Sequence, residues 1–150
     1  MSAARLAARC LELLGPVAGP IAVVGPADSR LAAAVRKGVR AARDGERPAG
    51  AVVVFLGAPA RPAERQSALR TLARALAPGA ALLLVDHNQP RAWWRRGVSL
   101  PRLFVARLEA ARARYPAARE LAAIGFTVEC LRLACGERVQ LVLARVGAGS

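Results

Sequence analysis

Apolar residues along this chain switch between a helical period and short continuous runs, and the switching lays out the elements. In residues 3–14, Leu6, Cys10, Leu13 and Leu14 share one helical face, with Ser2 placed to cap the helix and Gly15-Pro16 to end it. Residues 20–25 form a short apolar run closed by Gly25-Pro26, which reads as a buried strand. Asp28 or Ser29 can cap a second helix that runs to about Arg43 on a stripe of Leu31, Val35 and Val39, and residues 44–48 are a polar loop. The β-branched run 51–56, ended by Gly57, is the clearest strand. A third helix over about 63–77 carries Leu69, Leu72 and Leu76 on one side. Pro78-Gly79 ends it, and residues 80–86 form the third strand.

Beyond Asp86 the chain becomes basic. Leu100, Phe104, Leu108, Ala111 and Tyr115 fall at helical spacing, and Pro116 opens a further helical stretch to Ile124. Gly125 turns the chain into a strand over 126–133. Gly136-Glu137 is a turn, and a last strand over 138–146 puts Val139, Leu141 and Leu143 on one face. The order is α-β-α-β-α-β-α-β-β. Helices alternating with strands imply an α/β three-layer sandwich of Rossmann-like type, with about five strands. The sheet should be mostly parallel, with an antiparallel C-terminal hairpin. A length of 150 residues fits one domain, with residues 1–19 as helix and linker, 20–146 as the α/β core and 147–150 as a loose tail.

Composition adds three constraints. The apolar fraction of 55% is ample for a core, but only 4% is aromatic, so the core must be built from Ala, Val and Leu. No apolar run approaches the roughly 18–20 residues that span a bilayer. Arg5, Arg9 and Glu12 at helical intervals argue against a secretory leader, so a cytoplasmic protein is expected. The formal charge is +13, and all but one of the 23 basic residues are Arg, Lys37 being the exception. Such charge attracts polyanions. It also follows from GC-rich codon usage in a chain full of Ala, Arg, Gly and Pro, and both readings stay open. Cys10, Cys130 and Cys135, with one His in the chain, match no metal-ligand spacing, so three reduced thiols and no metal are expected.

Three stretches resemble the class I S-adenosylmethionine-dependent methyltransferases. Residues 72–86, with Pro78-Gly79 between an apolar helix and a run ending at Asp86, are similar to that family's helix, turn and fifth strand. Residues 120–128, from Glu120 through Gly125-Phe126 to Val128, are similar to its last helix and sixth strand, and the hairpin to Val146 to its antiparallel seventh. The resemblance covers residues 51–146. It implies S-adenosylmethionine as cofactor, held by Gly25, Pro26, Ala27 and Asp28 after the first strand and by Leu56, Gly57 and Ala58 after the second. It also implies a lid-like connection after Asp86.

The first half departs from the family. Its glycine-rich turn keeps Gly25, but Ala27 and Ser29 stand where further glycines would be. Gly25-Pro26 therefore reads equally as an ordinary end of a strand. Only residues 26–50 separate this turn from the next strand, room for one helix and a loop where the family places two further strands and their helices. The resemblance implies a carboxylate on the ribose hydroxyls at the end of one of those strands. Asp44 and Glu46 are the nearest acids, in a loop that reads as solvated turn.

Two groups of side chains could carry chemistry. His87, the only histidine, titrates near neutrality and could act as general base on a small-molecule acceptor, with Asp86 orienting it; the plain alternative is a polar connection capped by Asp86 or Asn88. Trp93 and Trp94 stand among Arg91, Arg95 and Arg96, and residues 91–119 hold eight Arg against one acid, Glu109. With Arg102 they suit stacking on nucleic acid or anchoring at an anionic membrane surface, or simply packing of one Trp on the sheet. The expectation is a methyltransferase-like domain with weakened cofactor binding, acting as an accessory or dimerising partner in a homo- or hetero-oligomer. An active methyltransferase on a small molecule and a basic RNA- or lipid-binding module are the alternatives. Without two strands the first strand lies at the sheet margin, where the N-terminal helix or a second subunit could cover it.

Overall fold

The computed structural model describes residues 2–56, 62–88 and 117–147. Expectations that rest on Leu100 to Pro116 and on the 148–150 tail lie outside them. Among the described residues, four helices and five strands follow in the order α1 (Ala3–Leu14), β1 (Ile21–Val24), α2 (Arg30–Lys37), β2 (Gly50–Val54), α3 (Pro62–Ala75), β3 (Ala81–His87), α4 (Ala117–Ala123), β4 (Phe126–Ala134) and β5 (Val139–Val146).

The strands make one sheet in the order β1-β2-β3-β5-β4. β1, β2 and β3 pair in parallel, and β5 runs antiparallel between β3 and β4. Four of the five strands thus point one way, as the hydrophobic pattern predicted. All five residues of β2 are buried. A strand closed on both faces has no polar side to alternate with, which is why it reads as a continuous apolar run.

Two clusters make the core, one per face. Leu6, Cys10 and Leu14 of α1 and Leu31 and Val35 of α2 pack on Val52, Val54, Leu83, Val85 and Leu141. On the other face Leu69 of α3, Leu76 just after it and Leu121 of α4 pack on Val53, Leu82, Leu84 and Val142. Each fully buried Leu or Val contributes roughly 1.5–3 kcal/mol over an exposed one, so these aliphatic clusters suffice without aromatics. Cys130 and Cys135 pack at the border of the first cluster, and all three cysteines are free thiols. Burial, with Cys135 nearby, pushes the Cys10 thiol up to about 11.

Three details differ from expectation. Helix α2 stops at Lys37, because Gly38 caps it through its N–H on the Val35 carbonyl, although Val39 continues the apolar stripe. The next residues do something else. Ile21 donates to Arg40 O at 2.9 Å and accepts from Ala42 N at 3.0 Å, an isolated parallel bridge between Ile21 and Ala41 on the outer edge of β1. Farther along that edge the Val23 carbonyl accepts from Arg36 Nη2 at 3.2 Å. The margin of the sheet is therefore covered by the chain's own residues 36–42, and α1 lies on the face over β3 and β5 instead. Finally, the β4–β5 turn is longer than two residues: Cys135, Gly136 and Glu137 all take positive φ.

Candidate functional site

In an open sheet of this kind ligands bind beyond the carboxyl ends of the parallel strands. Here that rim brings together the residues after β1 (Gly25 to Asp28), after β2 (Phe55 and Leu56) and at the end of β3 (Asp86 to Asn88). Gly57 and Ala58 lie outside the described residues, as do Trp93, Trp94, Arg95, Arg96 and Arg102.

Gly25 is fixed by packing. A Cβ there would meet the Val54 carbonyl oxygen at 2.8 Å and the Val54 Cβ at 3.2 Å, so β2 occupies the space a side chain would need. After it, Ser29 N bonds back to Pro26 O at 3.0 Å, and Ser29 Oγ accepts from Ala32 N at 3.2 Å to cap α2. Ser29, rather than Asp28, is the capping residue. Ala27 and Asp28 are exposed.

At the end of β2 the chain leaves the sheet abruptly. Phe55 has φ +50°, a left-handed conformation that a bulky side chain rarely adopts. Its N–H is held by Val85 O at 2.8 Å, and its ring stacks on His87 with centroids 4.3 Å apart and planes 19° from parallel. Such a conformation costs on the order of 1–3 kcal/mol and persists only where surrounding contacts impose it. Sequence reading passed over Phe55. The available signal was an aromatic residue directly after a β-branched run.

Asp86 and His87 are adjacent, yet their side chains work apart. The Asp86 carboxylate is buried. Its Oδ2 pairs with Arg65 Nη2 at 2.6 Å, and its Oδ1 accepts from the His87 backbone N–H at 2.8 Å. Arg65 also pairs through Nε with Glu120 Oε2 at 2.7 Å, making a buried Asp–Arg–Glu triad that ties β3 to α3 and α4. Burial alone would lower the pKa of Arg65; the two carboxylates outweigh it and raise that pKa. The recorded partners of Asp86 are thus Arg65 and a backbone amide. His87 is half-buried, and burial lowers its pKa, only partly offset by the nearby Asp86 charge. That direction favours the neutral imidazole, the form a proton acceptor needs. Gln140 Nε2 donates to His87 O at 2.9 Å, and Asn88 Nδ2 donates to Glu137 O at 2.7 Å, so the β4–β5 turn braces this rim.

Asp44 and Glu46 do not reach the rim. Their loop is anchored on one side by Ala42 at Ile21 and on the other by Ala49 N on Pro20 O at 2.8 Å, both at the start of β1. The Glu46 carboxylate accepts from the Arg43 N–H and pairs with Arg40. These contacts, the backbone bond first, lower its pKa, outweighing the opposing effect of desolvation. Among the described residues no three His, Cys, Asp or Glu side chains come together as a metal site, and no helix is long and apolar enough to cross a membrane.

The structure is similar to the N-methyltransferase NodS from Bradyrhizobium japonicum WM9, with a TM-score of 0.56 and 12% identity, over 96% of this chain and 94% of that one. A SAM-dependent methyltransferase from Methanosarcina mazei gives a TM-score of 0.50 at 17% identity, over 85% and 80% of the two chains. The fold is that of the S-adenosylmethionine-dependent methyltransferases. The crystal structure of TnmH also matches, with a TM-score of 0.54 and 15% identity over 76% of this chain, which spans 39% of TnmH's length. No protein-family model matches the sequence, and no curated protein does.

Proposed function

We propose that this chain is a methyltransferase-fold domain that no longer grips S-adenosylmethionine by itself and serves as an accessory or dimerising partner. One observation carries the reading. Where the family places a second strand ending in a ribose-binding carboxylate, this chain has a single parallel bridge at Ala41 and a turn anchored at the start of β1. A bidentate acceptor for two hydroxyls needs a rigid support at the carboxyl end of the sheet. Asp44 and Glu46 have no such support, and Glu46 is engaged by Arg40. Asp86, the acid at the end of β3, is committed to Arg65. These residues do not fit the cofactor's ribose end.

A second reading is supported by the rim of β2 and β3. His87 is shifted toward its neutral form, half-buried and stacked on a strained Phe55, as suits a general base waiting for a small-molecule acceptor. An active enzyme of this kind would need a partner subunit to supply the ribose contacts. Mass spectrometry of nucleosides released from the natively purified protein and from its native complex separates the two. Absence of S-adenosylmethionine and S-adenosylhomocysteine from both is the expected result. Stoichiometric cofactor in the lone chain would overturn the accessory reading, and cofactor only in the complex would favour the second.

A further inference from the structure

The end of the sheet opposite the candidate site holds a groove that neither reading uses. It has a volume of about 440 Å³ and lies where α3 ends and β5 leaves the sheet. Leu76, Ile124 and Val146 form an apolar floor, and Arg47, Arg70 and Arg74 stand around it. Arg70 and Arg74 are exposed and one helical turn apart on α3, so they project from the same side of the helix. Arg47 comes from the loop before β2, and its Nη2 donates to the Leu76 carbonyl at 3.2 Å, which pins it at the groove. The ion pairs recorded among the described residues engage Arg40, Arg65 and Arg145, and none engages these three.

Three like charges gathered round one concavity repel one another, and among the described residues no carboxylate pairs with them. A bound anion would. The guanidinium fork matches two oxygens of a phosphate, and three forks around a single groove match more oxygens and more charge than one carboxylate offers. We propose that this groove is a binding site for an anion carrying more than one phosphate group, joined as a pyrophosphate on a small molecule or spaced along a single strand. The site is independent of the cofactor question, because it lies at the amino ends of β1, β2 and β3.

Calorimetric titration of the full chain with sodium pyrophosphate in low-salt buffer tests this. Saturable binding is expected, weakened by about tenfold or more in Arg70→Ala/Arg74→Ala. It should stay within about twofold of wild type in Arg5→Ala/Arg9→Ala, which removes equal charge from α1. Arg70→Lys/Arg74→Lys keeps the charge but loses the fork and should fall between them. Each variant changes exposed side chains, and circular dichroism confirms its fold. Titration with ADP and with a single-stranded oligonucleotide then identifies the source: tighter ADP binding indicates a small molecule, and tighter oligonucleotide binding that is lost in the same double variant indicates a polymer. Absence of saturable pyrophosphate binding would overturn the proposal. So would equal weakening by both alanine pairs, since that is the response of overall charge alone.

Discussion

The two halves of this sheet are built on different terms. Through β2, β3 and β5 every strand has a hydrogen-bonded neighbour on each side, both faces are covered, and a buried Asp–Arg–Glu triad locks β3 to the helices above it. On the other side β1 is four residues long and its outer edge is met by one bridge and one arginine. The first region is held by packing and buried charge, the second by a few backbone bonds. So short a margin still completes the sheet. Among the described residues, no strand beyond β1 brings a carboxylate to the carboxyl-end rim.

The contrast can be broken most severely at Arg65. Arg65→Ala leaves Asp86 and Glu120 buried without their shared counter-charge and should cost about 3–5 kcal/mol in urea unfolding. A loss below about 1 kcal/mol would mean that packing alone holds the central half. The junction of the two regions is Gly25. Gly25→Ala pushes a methyl group onto the Val54 carbonyl and should cost about 1–3 kcal/mol. Unchanged stability would show that β1 is free to move away from β2. The smallest effect concerns pH. Folding holds the His87 pKa below its ordinary 6.5, so the unfolded chain binds more protons on acidification. Stability should therefore fall as pH drops below about 6.5. His87→Phe, which preserves the stack on Phe55, should flatten that slope between this value and the folded pKa. Because the chain has one histidine, an unchanged slope would assign it to the carboxylates instead.

The central half was legible because its signals are local. Val52 to Val54, Leu82 to Val85 and the Val139-Leu141-Leu143 alternation show their strands directly in hydrophobicity. The margin was not, because Arg40-Ala41-Ala42 has neither β-branched residues nor alternation, and its pairing is decided by the open edge of β1. For the same reason α2 was expected to run too far: Val39 continues the stripe, while Gly38 and the edge of β1 end the helix. Within the site, His87 and the Gly25 turn could be placed from sequence as residues following strands. The partners of Asp86 could not, since Arg65 and Glu120 are 55 positions apart and meet only through the packing of α3 and α4. Phe55 carried too weak a local signal, because its strain arises from the register of β2 against β3.

The most direct measurement is calorimetric titration of the purified chain with S-adenosylmethionine. A margin reduced to one bridge predicts no saturable heat up to about 1 mM. A micromolar dissociation constant with one site per chain would contradict it, and would require that the adenosine end be held by residues other than those of a second strand.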